Sequence, residues 1–493
     1  MNETKNIKNK SIKKNAVLNG IRVLLTIIFP LITFPYASRV LGTDNLGVIQ
    51  FSSSIIVFVT LFASLGISSY ATREGAAFRE DRKKLSEFAS KMFTINIIFT
   101  MLSYLLLFII LMFPTKLMEH KTIILILSIQ VFFTTIGVDW IYSIYEDYFY
   151  ITIRTLIGQI VSLILMFAFV KNENDYYIYA FITVIANSGI NILNFIHSKK
   201  YCDLRLTKKI YMKKHLPPLL VLFSNNLAQQ VYINSDSIML GIMSSDYSVG
   251  IYSVAVKIYS IVKKLLNAII TVTIPRLAYY SAKSDKQFNE LCIKIFKTSI
   301  LFILPVMLLL FLLSENIISF ISGNEYIEGT IALKILSLGL LFAVFANLFC
   351  NGILIVKKEE KYVLRATIYA AIINFGFNIL LIPLFKQNGA AITTAIAEFI
   401  VMIYTYNKAK KYIKIENIVK EISIELVGCI GIICIYIFLT KINISNNFLF
   451  ISLCGGISLI IYAFIQLILK NQTFIFFYED IKLKILKKVA RQK

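Results

Sequence analysis

Apolar runs close to 20 residues long recur from one end of this 493-residue chain to the other. That is the length an α-helix needs to cross about 30 Å of hydrocarbon. In lipid every backbone polar group must find its partner within the protein, which leaves only helices or a closed barrel. The period-two alternation of barrel strands is absent. Only 8 prolines and 20 glycines interrupt a chain that is 57% hydrophobic, so long unbroken helices are feasible. The reading is an all-α polytopic membrane protein. Spans fall near 16–37, 47–70, 89–113, 121–145, 150–170, 177–196, 217–243, 248–273, 294–314, 328–352, 362–384, 389–407, 419–440 and 447–469, which makes fourteen crossings.

A formal charge of +23 would suit a nucleic-acid binder, but its placement argues otherwise. With the N-terminus inside, the outer loops hold only Arg39, Lys116, Lys121, Lys171, Lys386 and Lys441 of the 51 lysines and arginines. Basic loops stay on the cytoplasmic side, so both termini are expected there, in a bacterial cytoplasmic membrane. The excess is topology, and no nucleic acid is expected as partner. The tail FIFFYEDIKLKILKKVARQK sets Ile481, Ile485 and Val489 on one face with lysines opposite, suited to lying on an anionic leaflet. Six scattered cysteines and three distant histidines form no ligand spacing, and no metal site is expected.

Outer loops are too short to form a catalytic domain. The longest inner connection, HSKKYCDLRLTKKIYMKKH, begins at His197 and falls near the middle of the first twelve spans. Expected divisions are therefore an N-lobe over 1–196, a cytoplasmic linker over 197–216, a C-lobe over 217–414, and two further spans with the tail over 415–493. SRVLGTDNLGVIQFSSS from Ser38 and SIMLGIMSSDYSVGIYSV from Ser237 echo one another, each with an LG pair leaving one span and a second glycine opening the next. The lobes read as parallel repeats.

Several spans carry polar stripes at helical spacing. The first has Asn15, Asn19, Arg22 and Thr26; the seventh Asn225, Gln229, Tyr232 and Asp236; the eighth Lys257, Ser260, Lys264, Asn267 and Thr271. Asn and Ser alone serve as interhelical glue. Cations this deep need a wet cavity or a partner. Arg22, Lys257 and Lys264 are therefore expected to face a lumen that admits an anion, arginine as a fork and lysine as a point charge. Glu398, midway along the twelfth span, reads either as one half of an ion pair or as a proton carrier.

The stretch GVDWIYSIYEDYFYITIR, 137–154, concentrates Asp139, Glu146, Asp147, the only tryptophan and Arg154 around the one inner turn without a lysine or arginine. Arg154 should reach Asp139 across a tight hairpin. The acids either clasp that hairpin or gate the inner mouth and release Arg154 to an incoming anion. Trp140 reads as an interface anchor or a sugar-stacking platform.

With PLITFPYASRVLGTDNLG, LGISSYATREGA, GVDWIYSIYEDYFYITIR, SDSIMLG, VGIYSVAVKI, TIPRL and NFGFNILLIPLFKQNGAAITTAIAE in view, the chain resembles the Wzx-type polysaccharide flippases. They form a branch of the multidrug/oligosaccharidyl-lipid/polysaccharide exporter superfamily. The resemblance implies a two-lobed transporter that flips an oligosaccharide on undecaprenyl pyrophosphate between leaflets by alternating access, next to the polymerisation machinery. It also implies that basic residues of the first and eighth helices, here Arg22 and Lys257, line the cavity. Arg39, Arg154, Lys264 and Arg276 complete the cations expected to serve the pyrophosphate. A sodium site in related lipid II flippases falls on Asp236, Asn374, Asn378 and Thr394, with Asn378 standing where those relatives have an acid. The second helix carries Gln50 and Ser53 where they have a cation, which speaks against lipid II as cargo. Na+ or H+ is left open as the coupling ion, and no other cofactor is expected. A drug/cation antiporter of the same superfamily is the alternative, though its cargo favours an acidic lumen. A membrane polymerase would need a large extramembrane loop or an Asp-x-Asp motif, and the chain has neither, so no enzymatic activity is expected.

Overall fold

The computed structural model describes residues 28–414, 419–442 and 444–479 in full, and over most of 12–27 the helical backbone alone. The side chain of Arg22 and the Ile481–Ile485–Val489 face lie outside the described residues.

Every expected crossing falls on helix. The first two run through one element, Ile12–Ser64, broken at Gly42, where φ is 74° and ψ 173°. That left-handed φ is accessible to glycine without penalty, which explains why the LG pair marks the turn. Spans eleven and twelve run through Glu360–Ala409 with a similar break at Lys386, φ 49°. By length and composition, 10 helices among the described residues are apolar enough to cross a membrane. Lys121–Gly137 is shorter. Met212–Met243 lies outside that group, and it carries the stripe of Asn225, Gln229 and Asp236. No strand occurs among the described residues.

The chain packs as two compact units, 1–250 and 251–493. Met212–Met243, the first helix of the expected C-lobe, falls in the first of them. That unit has separate apolar clusters along its length. One joins Tyr70, Phe88, Met92, Ile141, Cys202 and Leu219; another joins Ile56, Leu107, Ile124, Leu127 and Val131. The second unit is built on Leu266, Phe288, Leu301, Phe345, Ile353 and Ile432. Exposed leucines, isoleucines and phenylalanines stud the faces of Arg82–Leu111, Tyr148–Phe169 and Asn447–Ile468, as a surface solvated by lipid requires.

Candidate translocation site

The 137–154 stretch explains itself through a break in the fourth span. The helix stops at Gly137, Val138 turns left-handed (φ 39°), and a short helix, Asp139–Ile144, restarts with Asp139 in its first turn. Such a break exposes carbonyls that lipid cannot satisfy. Asn194 of helix Asn191–Ser198 fills the gap, its Nδ2 donating to Gly137 O at 3.0 Å and to Asp139 Oδ1 at 2.5 Å. Arg154 donates to the same Asp139 oxygen at 2.9 Å and to Asn191 Oδ1 at 3.0 Å. The guanidinium side chain is 11% exposed and the carboxylate 53%. Arg154 is therefore sheltered while its partner is half-exposed.

The other two acids are also engaged. Glu146 accepts from Arg79 at 3.3 Å, and Asp147 accepts from the Tyr201 hydroxyl at 2.5 Å. Burial and the Asp147 carboxylate both push the Tyr201 hydroxyl up, so it remains a donor at any ordinary pH. Tyr142, Tyr150 and His197 stack behind the clasp, with the Tyr150 and His197 ring centres 4.1 Å apart. Trp140 departs from the interface anchor that the sequence reading offered. It is 4% exposed and packs edge-on against Phe88 inside the first unit's core. Restarting the helix at Asp139 turns the indole into the apolar cluster around Phe88.

Elsewhere in the first unit, two helix starts meet backbone to backbone. A Cβ on Gly47 would lie 1.9 Å from Asp246 O, and one on Gly250 would lie 2.0 Å from Thr43 O. These are the glycines that open the following span in the two echoing segments, and here they face each other. Beside them the Asp246 carboxylate lies 3.1 Å from the Lys116 ammonium and 3.1 Å from His120 Nε2. Sequence reading missed this triad because Asp246 lies more than a hundred residues from Lys116 and His120, but the glycine echo was visible.

In the second unit, Lys257 is half-buried and Lys264 exposed on helix Asp246–Thr271. Glu398, 4% exposed, is bonded by the Lys263 ammonium and accepts from the Tyr259 hydroxyl at 3.2 Å. Lys263 lay outside the stripe that singled out its neighbours. Asn374 and Asn378, both fully buried, bond to one another at 3.2 Å. Thr393 donates to Asn378 Oδ1 at 2.5 Å, whereas Thr394 shares a 3.2 Å hydrogen bond with Tyr252. Arg276 is exposed on the short helix Ile274–Lys283, its guanidinium 5.8 Å from the Tyr280 ring centre. In the first unit Arg39 is exposed and Asp236 is 4% exposed.

Residues 12–281 match the family model described as polysaccharide biosynthesis protein. The chain belongs to that family. A second model, MatE, matches residues 222–380 of this polysaccharide biosynthesis family member. A putative O-antigen transporter of Escherichia coli (strain K12) is 24% identical over 400 residues, covering 80% of this chain and 96% of that one. The capsular polysaccharide biosynthesis protein CapF of Staphylococcus aureus is 27% identical over 378 residues, covering 74% and 91%. Among solved structures, the lipid II flippase MurJ in an inward closed conformation superposes with a TM-score of 0.75 at 19% identity, over 94% of this chain and 99% of that one. An inward-facing multidrug resistance MATE family transporter gives 0.58 at 15% identity, over 80% and 97%. The fold of this family member is thus the multi-pass helical fold shared by the MurJ flippase and the MATE transporter.

Proposed function

We propose that the protein flips undecaprenyl-pyrophosphate-linked oligosaccharide repeat units from the inner to the outer leaflet of a bacterial cytoplasmic membrane. The observation that carries this reading is near-complete coverage of a relative described as a putative O-antigen transporter, on a fold shared with a lipid II flippase. The residues supply the chemistry such cargo needs. Lys257 and Lys264 share a helix face one heptad apart, and Arg22 sits in the first apolar span. A diphosphate is the anion that best repays cations kept within spans. Arg154, held by Asp139 and Asn191, is a guanidinium in reserve that an incoming pyrophosphate can take over from the half-exposed carboxylate.

Two ion-coupling candidates belong to this proposal. Asn374, Asn378 and Thr393 offer neutral oxygens of the kind hard cations accept, which suits Na+. Glu398 with Lys263 offers a carboxylate for H+. Loss of Na+-dependent transport in Asn378→Ala, with Glu398→Gln unaffected, selects the first; the reverse selects the second.

Complementation of a flippase-deficient strain that makes a defined repeat unit tests the main reading. Wild-type protein restores polymer export. Arg22→Ala and Lys257→Ala abolish it while the protein still reaches the membrane, and Lys257→Arg retains it. Normal export in both alanine variants removes the argument from cations. A drug/cation antiporter is the second reading, favoured by the MatE match over 222–380. It predicts drug resistance on expression and no rescue of export.

A further inference from the structure

The longest inner connection lies zipped onto a helix. Ser86, Ser90 and Thr94 stand four residues apart on Arg82–Leu111. Their hydroxyls accept from the amides of Asp203 at 2.9 Å, Arg205 at 3.1 Å and Thr207 at 3.1 Å. Four residues of helix rise about 6 Å, and two residues of extended chain rise about 6.6 Å, so an i, i+4, i+8 hydroxyl ladder can bond every second amide of an extended segment. This register turns alternate side chains of 203–207 toward one side. Arg82 fastens the near end, donating to Lys199 O at 2.8 Å.

The ladder walls a cavity of about 880 Å³ between helix and connection. Arg82, Lys83, Lys91, Arg205 and Lys209 line it, against only Glu87 and Asp203 as acids. Arg82 lies 3.5 Å from Asp203, and the Lys91 ammonium is 5.0 Å from the Tyr211 ring centre. Among the described residues no carboxylate lies within ion-pair distance of Lys83, Arg205 or Lys209. Leu206 and Tyr211 at the rim are 67% and 62% exposed, apolar and amphipathic groups beside cations at the end of the spans assigned to the cytoplasm. Basic recesses of this kind at the inner membrane surface suit anionic headgroups, and the volume is that of a small-molecule site.

We propose that this recess binds a phosphate-bearing headgroup, taken either from an anionic phospholipid of the inner leaflet or from a lipid-linked diphosphate. The site is distinct from the in-span cations and stands whether or not the cargo reading holds. Its test uses the purified full-length chain in nanodiscs and does not involve transport. One arm follows phosphatidylglycerol retained from mixed phosphatidylglycerol/phosphatidylcholine discs by native mass spectrometry. The other titrates inorganic pyrophosphate into phosphatidylcholine discs by calorimetry. Each cation removed should weaken binding about fivefold, so the triple variant Lys83→Gln/Arg205→Gln/Lys209→Gln should lose on the order of a hundredfold. Glu87→Gln removes an exposed acid from the rim and should tighten binding about fivefold, an opposite shift that misfolding cannot mimic. Binding in the lipid arm alone assigns the source to the leaflet; binding in the pyrophosphate arm assigns it to a diphosphate. Binding in neither arm, or affinity indifferent to both variants, overturns the proposal.

Discussion

Gly250→Ala is the sharpest test of the packing where the two glycine-opened helix starts of the first unit meet. An added Cβ would stand 2.0 Å from Thr43 O and 2.9 Å from Thr43 C, where ordinary contact begins at 3.4 Å. The obstacle is backbone, so no rotamer relieves it, and the helix start must retreat by about 1.4 Å. Overpacking of this kind costs about 1–3 kcal/mol. The upper end applies, because the same retreat draws Asp246 away from Lys116 and His120. About 3 kcal/mol is more than a hundredfold in an equilibrium. Urea unfolding in detergent, followed by circular dichroism, reads the loss directly. Gly47→Ala, whose Cβ would lie 1.9 Å from Asp246 O, should cost a similar amount. The double variant should cost less than the sum, since both act on one contact. Gly456→Ala is the control, for nothing lies within 4 Å of its Cβ; a helical glycine so placed gains about 0.5–1 kcal/mol as alanine. A loss below about 0.5 kcal/mol for Gly250→Ala, or strict additivity of the pair, would refute the close approach.

Three more outcomes are expected. Asp139→Ala should destabilise by about 2 kcal/mol, less than a fully buried pair because the carboxylate is 53% exposed. Arg154→Ala should cost less than about 1 kcal/mol, since water and Asn194 still serve the carboxylate; the opposite order in urea titrations would sink the argument from burial. Cys202 is fully buried and its thiol is pushed up to about 12 by that burial, with the Asp203 carboxylate adding to it. A variant retaining Cys202 alone should resist maleimide at pH 7.5 until denatured. Hydrogen bonds from Lys411 and Tyr412 hold the Glu359 carboxyl at about 2, against an ordinary 4.5. A depressed acid stabilises above its unfolded value, and that contribution drains away as pH falls from 4.5 toward 2. Glu359→Gln should flatten the stability profile across that window; an unchanged slope would show that the contact contributes nothing.

What the sequence determined by itself was whatever depends on local composition. Apolar run length dictated the spans, because the thickness of hydrocarbon is fixed. Loop charge pointed to a topology, the LG pair located the turn at Gly42, and spacing alone put Arg154 within reach of Asp139 across a hairpin. Tertiary structure decided which groups answer one another over long separations. Nothing near Glu398 in the chain names Lys263 as its partner, and nothing near Asp246 names Lys116 and His120. Ser86, Ser90 and Thr94 look like ordinary helix polarity until an extended segment over a hundred residues away arrives in register. Trp140 shows the limit most plainly. A tryptophan near a span end reads as an anchor, yet one left-handed residue, Val138, restarts the helix and buries it. Whether a side chain meets lipid, water or protein depends on where the backbone breaks and what packs against the break, and a single chain read in order does not contain that information.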